Sequence, residues 1–237
     1  ASIIKDLLNR NRQLPKEKIE DLVVGCAFPE GPQGMLMAKG ISILADLPIG
    51  CAGKVVNRFC GSSMDALHQL SQAINSNDIE CGIACGVEDM FGVPMGGFSP
   101  SFHPDLYEND FYMGMGETAE NLAKELDISR QDQEDFAINS HKKALAASLN
   151  GNFSNEILPI EFNGNTVTTD EGPREPNVDK IKSLDPAFDS DGTITAATSS
   201  PISIGASALL VASNKLVEDC GIKAEFKVLS RSVAGVD

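Results

Sequence analysis

The sequence has no run of lysine and arginine. Its 19 basic residues are scattered among 34 acidic ones, and the formal net charge is -15. That balance excludes nucleic acid and anionic membrane surfaces as general partners, and an anionic ligand needs a local positive pocket. No apolar stretch is long enough to span a bilayer. The six cysteines, Cys26, Cys51, Cys60, Cys81, Cys85 and Cys220, are too sparse for a disulfide scaffold and include no C-x-x-C pair. Cys81 and Cys85 sit in an apolar run, which is poor metal-ligand context, and no metal site is expected. A reducing, cytoplasmic setting fits this cysteine usage. Histidine is also scarce: His68 lies off the apolar stripe of a helical stretch, His103 precedes Pro104 in a loop, and His141 sits in a polar helical stretch, expected exposed. No tandem repeat is present. No signal peptide is visible, and Ile3, Ile4, Leu7 and Leu8 already share one helical face, so the start reads as internal to a larger protein.

What is present suffices for one large domain or two smaller ones: 237 residues, 42% of them hydrophobic. The periodicity predicts a helix over 2–10, a buried strand over 22–26 and a buried helix over 35–47, stopped before Pro48. A strand over 54–57 then leads into Asn57-Arg58-Phe59-Cys60-Gly61-Ser62-Ser63-Met64. Leu67, Leu70, Ala73 and Ile74 make one stripe of the helix that follows, and 81–87 is another buried strand. Cys60 therefore falls on a tight strand-to-helix turn. A sulfur near the amino end of a helix is favoured as thiolate, the nucleophilic form. A buried cysteine that only fills space is the other reading of this local pattern.

Residues 91–112 are rich in Gly, Pro, Phe and Met with little periodicity, and their length favours a functional loop. A helix over 118–126 carries Ala119, Leu122, Ala123 and Leu126 on one face. Ser129 is set to N-cap the next helix, with Asp132 approximating a capping box and Asn150-Gly151 as its stop. A strand over 157–162, a charged turn over 170–176 and a short helix from Val178 follow. The stretch 192–201 is small and hydroxyl-rich, fit for an extended polar ligand. Buried strand 205–213, a short helix 216–220 and a strand 227–233 complete the chain, which ends at Gly235-Val236-Asp237. Core strands thus flank a long inserted segment in an α/β pattern.

These residues resemble the thiolase family. Val56 to His68 is similar to its active-cysteine segment, and Gly86-Val87-Glu88-Asp89-Met90 to its Gly-Val-Glu-x-Met. Met115 to Glu120 is similar to Met-Gly-x-Thr-Ala-Glu, and Ile128-Ser129-Arg130, Gln133, Phe136-Ala137 and Ser140-His141 fit the helix after it. Leu184-x-Pro-Ala-Phe188 and Gly192 to Ala196 complete the order. The resemblance covers essentially the whole chain, and the Cys-Gly-Ser-Ser-Met and Phe-His-Pro details look most like the bacterial branch of fatty-acid β-oxidation.

The resemblance implies a layered α/β half-core, a mixed sheet with helices on both faces, with an inserted loop domain. The expected division is a half-core of 1–90 completed by 191–221, a loop domain of 91–190, and 222–237 as the first strand of an otherwise absent C-terminal half. It implies Cys60 as the acylated nucleophile. It places Arg174 near the nucleotide of coenzyme A, Phe188 along the pantetheine channel, Ser200 on the pantetheine amide, Ala196 close by and Met115 against the same channel. A surface salt bridge for Arg174 and core positions for Phe188 and Met115 are the alternatives. The implied reaction is thiolytic cleavage of 3-ketoacyl-CoA, with coenzyme A as co-substrate and no permanently bound cofactor. A homodimer is implied, together with a hydratase–dehydrogenase subunit as partner. A biosynthetic thiolase joining two acetyl-CoA, and a non-catalytic acyl-CoA-binding subunit, are the rival expectations.

The sequence departs from the family in two ways. In Ala197 to Gly205 the family's aspartate is replaced by Ile204, and Pro201 follows Ser200. The family's Asn-Glu-Ala-Phe, Gly-His-Pro and second active-site Cys-x-Gly segments have no counterpart, so these residues by themselves are expected to be inactive.

Overall fold

A computed structural model describes residues 1–235; of the expected chain end, Val236 and Asp237 lie outside the described residues. In chain order the elements are α1 (Ser2–Arg10), β1 (Asp21–Gly25), α2 (Met37–Leu44), β2 (Ala52–Val56), α3 (Ser62–Asn75), β3 (Cys81–Asp89), α4 (Pro104–Glu108), α5 (Met115–Glu125), α6 (Arg130–Leu149), β4 (Ile160–Phe162), β5 (Asn165–Val167), α7 (Val178–Lys182), β6 (Ile204–Ala212) and α8 (Asn214–Asp219). They fall into two compact units, one of Ala1–Pro100 with the segment from Ile202 onward, the other of Ser101–Pro201.

The first unit is built on a mixed sheet in the order β2-β1-β3-β6. β1 runs parallel to β2 and β3, and β6 runs antiparallel to β3. β1 reads as unbroken apolar sequence because both of its faces are covered. Leu22 and Val24 pack with Ile4 of α1, Ala38 of α2, Ile83 of β3 and Leu216 of α8. Val23 points the other way, into a cluster with Ala66 and Leu70 of α3 and Ala84 of β3. Each such fully buried branched side chain contributes about 1.5–3 kcal/mol. The expected α/β sandwich of helix, sheet and helix is what forms.

Three expectations for this unit change. The apolar run 35–47 yields a helix only over Met37–Leu44, and of that helix Ala38 and Ser42 alone are buried. Met35 and Leu36 are exposed and both adopt left-handed φ, 53° and 52°. An apolar run there sets composition, not burial. β6 was expected to be buried, yet Leu209 is 54% exposed. It is an end strand, paired with β3 alone among the described residues. Segment 227–233 forms no strand at all, because no described neighbour takes its ladder hydrogen bonds. One tie secures it: Arg231 Nη1 donates to Ser71 Oγ of α3 at 2.8 Å.

The second unit is mainly helical. Ser129 caps α6 by accepting from Asp132 N at 3.2 Å, while Asp132 Oδ2 accepts from the Ser129 hydroxyl at 2.6 Å, so half of a capping box is made. Gly151, at φ 70°, lies just past the end of α6. In α5 the expected apolar face is wrong in detail. Ala123 is buried, but Leu122 and Leu126 are exposed, and the other inward residue is Glu120. The expected strand 157–162 shortens to β4 and gains a partner, β5, across Asn163-Gly164. Both turn residues have left-handed φ, 50° and 77°, the geometry an Asn-Gly hairpin turn adopts. In the aperiodic segment, α4 is capped by His103, whose Nδ1 accepts from Asp105 N at 3.2 Å. The rings of Phe102, Tyr107 and Tyr112 pack on one another, those of Phe102 and Tyr112 edge-on at 4.9 Å.

Candidate active site

Cys60 is exposed and immediately precedes Gly61, the N-cap of the fourteen-residue α3. The turn that delivers it is tightly knotted. Phe59 has a left-handed φ of 45°, a conformation costing about 1–3 kcal/mol for a non-glycine residue. Asn57 Oδ1 offsets this by accepting from Phe59 N at 2.9 Å. The Ser62 hydroxyl accepts from Arg58 N at 2.9 Å and donates to Phe59 O at 2.5 Å. Gly61 N donates to Arg58 O at 3.0 Å. Ser62, 3% exposed, is the pin of the turn.

The amino end of α3 can reach this place because two glycines yield space. A Cβ added to Gly25 of β1 would lie 2.3 Å from Ser63 N and 2.4 Å from the Ser62 carbonyl carbon. A Cβ at Gly86 of β3 would lie 2.8 Å from Ser63 Cβ. Backbone therefore approaches backbone where β1 meets α3, and at β3 the Ser63 side chain takes the space a Cβ would need.

Four of the other five cysteines have a different character, and the fifth, Cys220, is half-buried just past α8. Burial pushes the Cys81 and Cys85 thiols up to about 12 and those of Cys26 and Cys51 up to about 11. These four stay protonated and inert near neutral pH. A literal Cys-x-Gly triplet does occur at Cys51-Ala52-Gly53, but Cys51 is 1% exposed in the core and does not serve as a second reactive cysteine. Among the described residues no group of histidine, cysteine and carboxylate side chains is arranged to hold a metal ion.

The remaining expected site residues belong to the second unit. Met115 opens α5 and is 72% exposed; Phe188 is 51% exposed, so neither is a core residue. The structure seats Phe188 against the neighbour of Met115: a Cβ at Gly116 would lie 2.1 Å from Phe188 Cγ, so the ring rests on the first turn of α5. Arg174 is exposed, and among the described residues its guanidinium makes no salt bridge. Its backbone N donates to His141 Nδ1 at 3.3 Å, so His141, expected to be exposed, is half-buried against the 170–176 turn. Ala196 and Ser200 are exposed. The hydroxyls around them are not all free for a ligand. Thr198 Oγ1 accepts from Thr195 N at 2.9 Å, Thr195 Oγ1 accepts from Ala197 N at 3.2 Å, and Ser199 Oγ donates to Thr195 O at 2.7 Å. This stretch uses its hydroxyls to close its own turn. In the first unit, Ile204 opens β6 opposite Asp89, and Met90 N donates to Ser203 O at 3.3 Å.

Sequence reasoning missed the residue that holds this loop. Glu120 is 3% exposed, and its carboxylate accepts from Thr193 N at 2.9 Å, Ile194 N at 2.8 Å and Thr193 Oγ1 at 3.3 Å. A Cβ at Gly192 would strike Glu120 Oε1 at 2.2 Å, which accounts for that glycine. Gln133 Nε2 adds a bond to Thr193 Oγ1 at 2.9 Å. A cleft of about 390 Å³ opens beside it, lined by Ile128, Gln133, Phe136, Ala137, Ile194 and Thr198. The available signal was a glutamate on the apolar side of a helix, a position that demands buried donors.

Fold and geometry together define a mixed α/β sheet domain that presents one exposed cysteine at a strand-to-helix turn. Comparison with known proteins identifies its kin. The family model described as Thiolase, N-terminal domain matches residues 1–215. The chain is 42% identical over 246 residues to a 3-ketoacyl-CoA thiolase of Photobacterium profundum, and 42% identical over 246 residues to one of Vibrio cholerae. In both cases all of this chain and 63% of the relative are covered. Among solved structures it is similar to the Acat5 thiolase from Ascaris suum in complex with coenzyme A, with TM-score 0.81 and 31% identity over 94% of this chain and 61% of that one. It is also similar to the dimeric peroxisomal thiolase of Saccharomyces cerevisiae, with TM-score 0.80 and 30% identity over 92% and 60%. The chain belongs to the thiolase family. It spans 63% of the length of the curated relatives it matches.

Proposed function

We propose that the chain carries the nucleophile of a 3-ketoacyl-CoA thiolase, with Cys60 as the residue that takes the acyl group. The observation that carries this reading is the contrast among cysteines. Cys60 is exposed at the start of α3, while burial keeps Cys26, Cys51, Cys81 and Cys85 protonated. The relatives named 3-ketoacyl-CoA thiolase support the choice of substrate.

In the proposed reaction the Cys60 thiolate attacks the keto carbon of a 3-ketoacyl-CoA. The bond between the α and β carbons breaks, and its electron pair leaves with the acetyl-CoA enolate, which takes up a proton. The acyl group remains on Cys60 as a thioester. The thiol of free coenzyme A loses its proton and attacks that thioester, releasing the shortened acyl-CoA and restoring the Cys60 thiolate. Thiolate is both a good nucleophile and a good leaving group, so both halves are accessible without a bound cofactor. The proton-transfer base and the oxyanion donors belong, in this reading, to segments such as Gly-His-Pro that these 237 residues do not contain.

Coenzyme A is assigned to the second unit. Met115 and Phe188 provide an exposed apolar surface for the pantetheine arm, Ser200 and Ala196 an unhindered edge, and Arg174 a positive charge for phosphate in an otherwise acidic chain. The division into a half-core, an inserted loop domain and the start of a second half, the homodimer, the hydratase–dehydrogenase partner and a cytoplasmic setting belong to the same proposal. The sparse cysteines, with no C-x-x-C pair, support the last point.

The deciding experiment mixes the full-length protein with a long-chain 3-ketoacyl-CoA in the absence of free coenzyme A, then reads the Cys60 peptide by mass spectrometry. The expected result is an acyl adduct on Cys60 that disappears on adding coenzyme A and is absent in Cys60→Ser. An unmodified Cys60 in that mixture, from protein that turns over the same substrate once coenzyme A is added, rules out the assignment. Faster turnover of acetoacetyl-CoA than of long chains moves the protein to the biosynthetic branch.

A further inference from the structure

Behind the turn of Cys60 runs a chain of polar contacts that the proposed chemistry does not use. It begins at Glu88, near the end of β3. The Glu88 carboxylate accepts from Ala27 N at 2.7 Å and from Gln33 Nε2 at 2.8 Å, and the protonated Cys26 thiol donates to it at 3.6 Å. Gln33 is 4% exposed and fully engaged: its Nε2 also donates to Phe28 O at 2.9 Å, and its Oε1 accepts from Asp89 N at 2.6 Å. Glu88 thereby fixes the peptide of Ala27. The carbonyl of that same residue accepts from Asn57 Nδ2 at 2.8 Å. Asn57 Oδ1 in turn accepts, at 2.9 Å, from the backbone N of Phe59, the left-handed residue just before Cys60. The Phe28 ring packs against the Phe59 ring, centroids 5.9 Å apart, from the same loop.

We propose that Asn57, backed by Glu88 through the Ala27 residue, positions Cys60 for reaction. The proposal rests on the reading of Cys60 as nucleophile. Its physical content is a division of labour. Ser62 holds the turn from the helix side, and the relay holds it from the sheet side. Only with both in place is Phe59 kept left-handed and the sulfur kept at the start of α3. Asn57 suits the task because one amide both donates and accepts. Glu88 suits it because a carboxylate takes all three donors at once, whereas a glutamine there would turn its own N–H groups against one of them.

The test uses the full-length protein and iodoacetamide at one fixed pH, with labelling of each cysteine followed by peptide mass spectrometry. Wild-type Cys60 is expected to label several-fold faster than any other cysteine, while Cys81 and Cys85 stay unlabelled. A Cys60 rate no higher than that of the buried thiols would sink the nucleophile reading itself. With wild type reactive, Asn57→Ala and Glu88→Gln are expected to slow Cys60 labelling roughly three- to tenfold, and to lower kcat for the 3-ketoacyl-CoA with KM nearly unchanged, as the sulfur leaves its place at the start of α3. Wild-type rates in both variants overturn the relay and leave the nucleophile standing. Labelling of Cys81 in Asn57→Ala would show that its fold had opened. Glu88→Gln, at a residue that touches neither α3 nor Cys60, then decides: slowed Cys60 labelling with Cys81 still silent supports the relay, and a wild-type rate removes it.

Discussion

At the scale of single residues the molecule turns on close approach. Cys60 is where it is because Gly25 and Gly86 let the first turn of α3 rest on two strands. Gly25→Ala places a methyl group 2.3 Å from a backbone nitrogen, and backbone cannot swing aside as a side chain can. The expected loss is about 1–3 kcal/mol, the usual cost of overpacking, read as a lower urea midpoint with unchanged slope. Gly50→Ala, with open space around the glycine, is the matched control and should leave the midpoint nearly unmoved. The position of Cys60 before α3 was legible in the sequence, since β-branched residues give way to Gly-Ser-Ser and then to a helical stripe. The need for Gly25 was not, because the atom it avoids lies nearly forty residues away, in Ser63.

At the scale of elements, local signals worked where the local backbone decides and failed where burial decides. Ser129 and Gly151 bound α6 as read, since a cap is a contact within one turn. The inward face of α5 was misread, because Leu122 and Leu126 are exposed and Glu120 is not. Glu120 is buried for what it holds. Glu120→Ala would orphan Thr193 N and Ile194 N, at about 1–3 kcal/mol for each buried group left unpaired. The expected outcome is a lower thermal midpoint together with faster proteolysis within 192–200. Glu120→Gln should fall between the two, since one acceptor oxygen remains. Protease resistance at wild-type level in Glu120→Ala would show that the loop is held by its own Thr195 turn alone.

At the scale of the whole molecule, buried thiols make stability depend on alkaline pH. In the folded chain Cys81 and Cys85 keep their protons up to about pH 12, and Cys26 and Cys51 to about 11, against an ordinary value of 9.0. Between 9.0 and those values the unfolded chain binds fewer protons than the folded one. Stability therefore falls as pH rises through that window, and the contribution is fully present below it. Thermal midpoints should be flat across neutral pH as far as these groups go, and drop from about pH 9 upward. In Cys81→Ala the drop should be shallower, although the midpoint at neutral pH is lower because a cavity is left. An equal alkaline slope in wild type and Cys81→Ala would show that this thiol is not the titrating group.

What the sequence determined by itself was the order of the core strands and helices from α1 to β3, the α/β pattern and the turn that holds Cys60. These follow from periodicity, caps and short spacings, which are properties of neighbouring residues. The tertiary structure alone decided which apolar residues are covered: Met35, Leu36 and Leu209 are not, and Val23 and Leu70 are. It also decided that 227–233 forms no strand, and that Glu120 and Glu88 serve as acceptors for loops far along the chain. Burial and long-range hydrogen bonding depend on which segments meet, and a pattern within one segment carries no record of its partner.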